Sequence, residues 1–153
     1  MMKPLLPPAA TVLAIVAIVL PSTAAAHWEY SQWLMTPDQV VAASSGKAVA
    51  QPRNYGDDIG LQQFLVRGEH KAGGRAYDIQ FYFKKGGTLT LVRTLLKDKT
   101  QCDALKAELV KRHGPRSPSG QYFWIDQKAG NSVQFDDGRQ FGDTCYIHYA
   151  PLG

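Results

Sequence analysis

The sequence predicts a single α+β domain in which two helices pack on one face of an antiparallel sheet, in the order α-βββ-α-βββ. Residues 77–83 alternate apolar and polar side chains, which is typical of an antiparallel strand buried on one side. Two segments with helix start and stop signals are each followed by strand-like runs. The chain has 153 residues, and its 44% hydrophobic and 10% aromatic content favours one folded domain over disorder.

Residues 1–26 have the three parts of a secretory signal peptide. Lys3 supplies the positive start, residues 9–20 form an unbroken apolar run, and small residues lead up to a cleavage point after Ala26. The apolar run is shorter than the ~20 residues that a transmembrane helix needs. We therefore expect residues 27–153 to form a periplasmic or secreted domain with no membrane span after signal removal.

The first helix is predicted to begin at Thr36. Thr36 can cap the helix, Pro37 suits its first position, and Gln39 completes a capping box. Gly46 is the expected stop, and residues 47–58 are predicted to form a loop because they are rich in turn formers. Three strand-like runs separated by glycine-containing turns follow, at residues 61–70, 75–83 and 88–96.

The second helix is predicted to begin near Thr100 and to end at Gly114. Cys102, Leu105 and Leu109 recur at helical spacing, so they should form the buried stripe of this helix. Three further strands are predicted after it, at residues 121–126, 132–135 and 144–149.

Cys102 and Cys145 are the only cysteines of the chain. In an oxidising compartment such a pair predicts one structural disulfide. The chain has no CxxC motif, and the wide spacing of the two thiols argues against a redox or zinc site. The predicted bond would join the buried stripe of the second helix to the last strand, which places that helix against the sheet.

Composition and motifs exclude several classes of function. The net charge of +4 is mild and the basic residues are scattered, so no nucleic-acid partner is expected. The usual signatures of serine hydrolases, phosphate-binding loops and zinc proteases are missing. We therefore favour a non-enzymatic protein. An unrecognised hydrolase is kept as a further option, because carboxylates with perturbed pKa values cannot be seen in a sequence.

His27 carries an alternative hypothesis from a different class. If the signal peptide is cleaved after Ala26, the free amine and the imidazole of His27 could chelate copper together with a second histidine. This alternative predicts a copper-binding protein. The favoured hypothesis expects no cofactor.

Strand alternation predicts a patch of aromatic side chains on the sheet face that points away from the helices. Aromatic residues with polar neighbours are typical of protein-recognition surfaces, so this patch is the predicted binding site for a protein partner. The alternative is that residues 47–58 or 136–143 cover the patch as a second small core. The predicted site residues are Tyr82, Tyr122, Trp124, Tyr146 and His148.

Residues 33–40, with the sequence WLMTPDQV, resemble the W-G-M-T-P-E-Q-V start of small secreted bacterial proteins of unassigned function. Leu34 stands where that pattern has glycine. The order of elements is also similar to the small lipoproteins of outer-membrane assembly and to the β-lactamase inhibitory protein fold. The resemblance to these two folds implies a binding module without catalysis. The chain lacks the lipidated cysteine of the assembly lipoproteins. We therefore expect a module that binds an envelope or extracellular protein through its sheet face.

Overall fold

Residues 27–153 are described by a computed structural model, and they form an α+β structure with one seven-stranded antiparallel sheet and two α-helices. The predicted signal peptide lies outside these residues. The two helices are α1, Pro37–Ala43, and α2, Cys102–His113. The strands are β1, His27–Trp28; β2, Ser31–Gln32; β3, Ala48–Ala50; β4, Gln62–Ala72; β5, Arg75–Lys84; β6, Leu89–Leu96; β7, Tyr122–Asp126; β8, Asn131–Asp137; and β9, Cys145–Pro151.

The order of elements differs from the predicted α-βββ-α-βββ. A small hairpin of β1 and β2 precedes α1, and four strands rather than three separate the two helices. The additional strand, β3, occupies part of residues 47–58, which the sequence predicted as a loop. These strands are two or three residues long, too short for alternation of side chains to be recognised in the sequence.

The large sheet has the order β3-β4-β5-β6-β9-β8-β7. The last strand of the chain therefore lies inside the sheet, between β6 and β8. Antiparallel pairing of β6 with β9 joins two meanders, one built from β3 to β6 and the other from β7 to β9. The two edges of the sheet are β3 and β7.

The start of α1 follows the predicted capping box. The hydroxyl of Thr36 accepts a hydrogen bond from the backbone N–H of Gln39, and the Gln39 side chain accepts one from the N–H of Thr36. Leu34, in the turn before this helix, has a φ angle of 71°, in the left-handed region that favours glycine. A glycine at this position, as in the resembling pattern, would relieve that strain.

The second helix begins later than the sequence predicted. A short 3₁₀ turn, Lys99–Gln101, precedes α2, and its cap is Asp98 rather than Thr100. The Asp98 carboxylate accepts hydrogen bonds from the backbone N–H and the hydroxyl of Thr100, at 3.0 and 2.7 Å. The helix ends at Gly114 as predicted, with a φ angle of 101° at this glycine.

One face of the sheet, the core face, carries the main hydrophobic core. Phe81 of β5, Val92 of β6 and Ile147 of β9 lie at its centre and are almost fully buried. Val40 of α1 and Leu105 of α2 belong to the same buried cluster, so both helices contribute to this core.

The disulfide between Cys102 and Cys145 is confirmed. It joins the first residue of α2 to the first residue of β9, and both cysteines are fully buried. The Cys145 backbone N–H also donates a hydrogen bond to the Cys102 Sγ, at 3.3 Å. The bond therefore ties α2 directly to the strand that joins the two meanders.

The disulfide should contribute strongly to stability because it closes a loop of 43 residues. Chain entropy predicts a loss of about 4 kcal/mol in the free energy of unfolding when the loop is opened. A urea melt of the Cys102→Ala, Cys145→Ala double variant measures this loss. The same melt of wild-type protein in excess reductant is the control, and a change below ~1 kcal/mol in both would contradict the prediction.

Candidate functional site

The second sheet face, here called the outer face, points away from the core. The registers of neighbouring strands place one residue from each of the seven strands in a continuous row across it. From one edge to the other this row is Val49, Arg67, Gln80, Arg93, His148, Gln134 and Phe123.

The structure places three of the five predicted site residues on the outer face, namely Tyr82, Tyr146 and His148. Tyr122 and Trp124 lie on the core face, so the prediction of one contiguous outer patch was wrong for these two. Every side chain from Tyr122 to Ile125 is apolar or aromatic, so hydrophobicity does not reveal the buried side of β7.

Trp124 is 6% exposed and belongs to the main core. Its indole N–H donates to the backbone carbonyls of Gly114 and Pro115, at 3.0 and 3.3 Å. The ring stacks on His113 of α2, with 5.6 Å between the ring centres, and burial lowers the pKa of His113. Trp124 therefore anchors the end of α2 to the sheet and is not a surface residue.

Tyr82 lies on the outer face but is only 1% exposed. It packs with Phe64 and Leu91 in a second small core, against which Ile59 from the preceding loop is placed. The Tyr82 hydroxyl donates to Gln80 Oε1 at 2.9 Å, and burial raises the pKa of Tyr82. This end of the outer face is thus a covered second core, and the covering residue is Ile59, which follows directly after the predicted covering loop 47–58.

Arg93, Tyr146 and His148 form what we call the central patch, in the middle of the outer face. The guanidinium carbon of Arg93 lies 3.9 Å from the centre of the Tyr146 ring, in cation–π geometry. The rings of Tyr146 and His148 are 5.0 Å apart, and Leu95 pairs with Tyr146 from the neighbouring strand. All of these side chains are half-buried, so the patch is ordered yet reachable from solvent.

The charge of the central patch resides on Arg93. Burial, with a smaller effect of the nearby Arg93, lowers the pKa of His148 to about 4, so the imidazole is neutral at pH 7. Within residues 27–153, Arg93 forms no ion pair. The two flanking carboxylates already have partners: Asp78, opposite Leu95, is bound by Lys97 at 3.1 Å, and Asp136, opposite Tyr146, accepts a hydrogen bond from Gln134 at 2.9 Å.

Sequence reasoning did not identify Arg93 as a site residue. The residue is one of many scattered basic positions, and only the pairing of β6 with β9 brings it opposite His148. Strand parity places Arg93 on the same strand face as Leu91 and Leu95, but it does not indicate which strand lies beside that face.

Phe123 and Ile125 alternate with Tyr122 and Trp124 along β7 and therefore lie on the outer face. They are 43% and 46% exposed on the edge strand β7. Phe123 pairs with Gln134 and Ile125 pairs with Ser132, so the neighbours of both residues on β8 are polar. This edge of the outer face is therefore an exposed apolar strip beside a polar strand.

A cleft of about 210 Å³ lies on the core side, between α2 and the β1–β2 hairpin. Its polar wall is an ion-pair cluster in which Glu108 accepts from Arg75 at 2.7 Å and from Arg112 at 2.9 Å. Arg75 holds the pKa of the Glu108 carboxyl below its usual range. A general acid needs a raised carboxyl pKa, so this cluster does not support the hydrolase option.

Metal-ligating side chains are not clustered in the part of the chain from residue 27 onward, where no group of three or more His, Cys, Asp or Glu could hold a metal ion. The His27 side chain is exposed, and its carbonyl accepts a hydrogen bond from Asn131 Nδ2 at 2.9 Å. The copper alternative also needs a free amine at His27, so it stays a prediction. Neither helix of residues 27–153 is long and apolar enough to cross a membrane.

Comparison of the chain with protein-family models, curated protein sequences and solved structures finds no match.

The opposite environments of Trp124 and Phe123 predict opposite effects of truncation. Trp124→Ala should lower the free energy of unfolding by roughly 3–5 kcal/mol, because it removes a core indole. Phe123→Ala should change it by less than about 1 kcal/mol, because that ring is largely exposed. Urea melts of the two variants measure both values. Equal losses would mean that the two faces of β7 are assigned wrongly.

The low pKa of His148 predicts a pH-dependent stability. The unfolded chain takes up a proton near the ordinary histidine pKa of 6.5, whereas the folded protein takes it up only near pH 4. Neutral His148 therefore makes its full contribution to the free energy of unfolding above pH 6.5. This contribution, at most about 3 kcal/mol, is lost as the pH falls to 4.

Chemical denaturation at a series of pH values measures this dependence. His148→Gln should flatten the slope of unfolding free energy between pH 6.5 and 4, while His113, whose pKa is also lowered, contributes in both proteins. NMR titration of the wild-type imidazoles is the independent control, and it should place proton uptake by His148 near pH 4. An unchanged slope in His148→Gln would show that His148 titrates normally.

Proposed function

We propose that the protein is a non-enzymatic binding module of the periplasm or the extracellular space. Its central patch takes a carboxylate side chain of a protein partner. The observation that carries this proposal is a half-buried arginine, Arg93, held against an aromatic ring with no carboxylate paired to it in residues 27–153.

The geometry of Arg93 suits recognition of a carboxylate. Contact with Tyr146 restricts the guanidinium, so less side-chain freedom is lost when a ligand binds. Partial burial removes competing water, and a guanidinium can donate two parallel hydrogen bonds to one carboxylate. Arginine and tyrosine next to each other are also the residue types that dominate the energy of protein interfaces.

The surrounding charges support an acidic rather than a basic ligand. Lys97, farther along the outer face, is already held by Glu69 and by Asp78, the latter at 3.1 Å. His148 is neutral at pH 7 and so adds a polar aromatic surface without charge. Arg93 therefore remains the unpaired charge of the patch, and a partner carboxylate would neutralise it.

The apolar surface beside the central patch favours a protein partner over a free anion. Leu95 and the ring of Tyr146 lie side by side next to the guanidinium. A partner side chain that presents its carboxylate to Arg93 would place its neighbouring apolar atoms on this surface, which a small inorganic anion cannot do.

The proposal also includes the cellular compartment of the protein and the packing of both helices on the core face. A buried disulfide and the signal-like residues 1–26 favour an oxidising compartment outside the cytoplasm. Val40, Leu105 and Leu109 share one core cluster, which supports an arrangement with both helices over the core face and the outer face left for binding.

A library of short peptides displayed on phage, selected on the immobilised protein, tests the proposal. We expect the selected peptides to share an Asp or a Glu at one position. Arg93→Gln should weaken binding of a selected peptide by about ten- to a hundredfold, as should amidation of that carboxylate, because a hydrogen-bonded charge pair is lost.

Arg67→Gln is the matched control. Arg67 lies in the same outer-face row, on the other side of Gln80, and is exposed. It should bind the peptide as the wild type does. Selected peptides without a shared carboxylate would contradict the proposed ligand, and an equal loss in both variants would show a general charge effect instead of a site at Arg93.

A further inference from the structure

The free edge of β7 is a surface feature that plays no part in the proposed function. Strand β7, Tyr122–Asp126, bonds through its backbone to β8 only, along a regular register without a bulge. Outside that pairing, no backbone hydrogen bond involves residues 122–126 in the described part of the chain. One edge of the strand therefore presents unpaired N–H and C=O groups.

This edge has few of the features that normally prevent strand addition, since Asp126 at its end is its one charged residue. Tyr122 to Ile125 contain no charged residue and no proline. The opposite edge strand, β3, is only three residues long. Of the two sheet edges, β7 is therefore the better template for another strand.

The outer side of β7 adds an apolar contact surface to this open backbone. Phe123 and Ile125 point to the outer face and are 43% and 46% exposed. They are two residues apart on one side of the strand, so a paired strand would meet both of them at once.

We propose that two copies of this protein pair through β7, antiparallel, about a two-fold axis at Trp124. In this register Phe123 faces the partner's Ile125, and Ile125 faces the partner's Phe123. Tyr122 faces the partner's Asp126. The two seven-stranded sheets then form one continuous sheet.

The sequence of β7 favours a second copy as the occupant because the strand is complementary to itself in this register. The two exposed apolar residues are placed symmetrically about Trp124, so the axis puts apolar side chains against apolar side chains on the outer face. Asp126 is the only charged residue of the strand, and it comes opposite Tyr122 instead of another carboxylate. No like charges therefore oppose each other within the paired strands.

Sedimentation velocity of the purified protein, from micromolar to millimolar concentration, tests the pairing. The wild type should show a reversible dimer, and Ile125→Lys should weaken association more than tenfold because it places charges at the centre of the contact. Val49→Lys is the matched control, since Val49 is 49% exposed on the outer face of the other edge strand. It should dimerise as the wild type does. A wild type that stays monomeric at millimolar concentration, or equal dissociation in both variants, would overturn the proposal.

Cysteine cross-linking tests the register in a way that does not depend on the lysine variants folding. Phe123→Cys mixed with Ile125→Cys should form an intermolecular disulfide, because these positions face each other across the axis. Either variant alone should cross-link more slowly, since identical positions lie diagonally apart. The native cysteines are fully buried and already bonded to each other, so they serve as an internal control for exchange. Equally fast cross-linking in the unmixed samples would refute the register.

Discussion

The pairing of β6 with β9 is the interaction on which the rest of the structure depends. It is the only place where the two meanders of the described sheet are hydrogen-bonded to each other. It also brings Arg93 opposite His148 and Leu95 opposite Tyr146. Without this pairing the outer face would be two separate sheets, and the central patch would not exist.

The disulfide fixes this pairing from the core side. Cys145 begins β9 and Cys102 begins α2, so the bond holds the incoming strand beside a helix whose Leu105 and Leu109 belong to the main core. Thr144, the residue before β9, donates a hydrogen bond from its hydroxyl to the carbonyl of Leu96, at 2.6 Å. One covalent bond and one hydrogen bond therefore hold the start of β9 in the sheet. These two contacts fix the register between β6 and β9, which determines the side-chain neighbours on both faces of the sheet.

Local features of the fold could be predicted because local chemistry determines them. The Thr36 capping box, the Gly114 helix end and the Cys102–Cys145 pair each follow from short-range preferences or from a cysteine count of two. The alternation in β5 was equally clear, because polar Asp78 and Gln80 mark one face of the strand.

The candidate site could be predicted only in part. Tyr146 and His148 were assigned to the correct face because Cys145 and Ile147 mark the buried side of β9. In β7 both faces are apolar, so the burial of Trp124 was decided by two contacts with neighbouring elements, its pairing with Val133 of β8 and its stacking on His113 of α2. Arg93 became a site residue through sheet order, which no local pattern encodes.

The two proposals concern different parts of one surface, and their geometry is compatible. In the proposed dimer, seven strand spacings separate the two copies of Arg93, which corresponds to roughly 34 Å along the sheet. Both central patches would then lie on the same side of a continuous sheet, and the twist of the strands would tilt them away from each other. A partner with two suitably spaced carboxylates would bind both patches, and the second contact would form at a high effective concentration. Weak recognition at each arginine would in that case be sufficient for tight binding to a repetitive or dimeric partner.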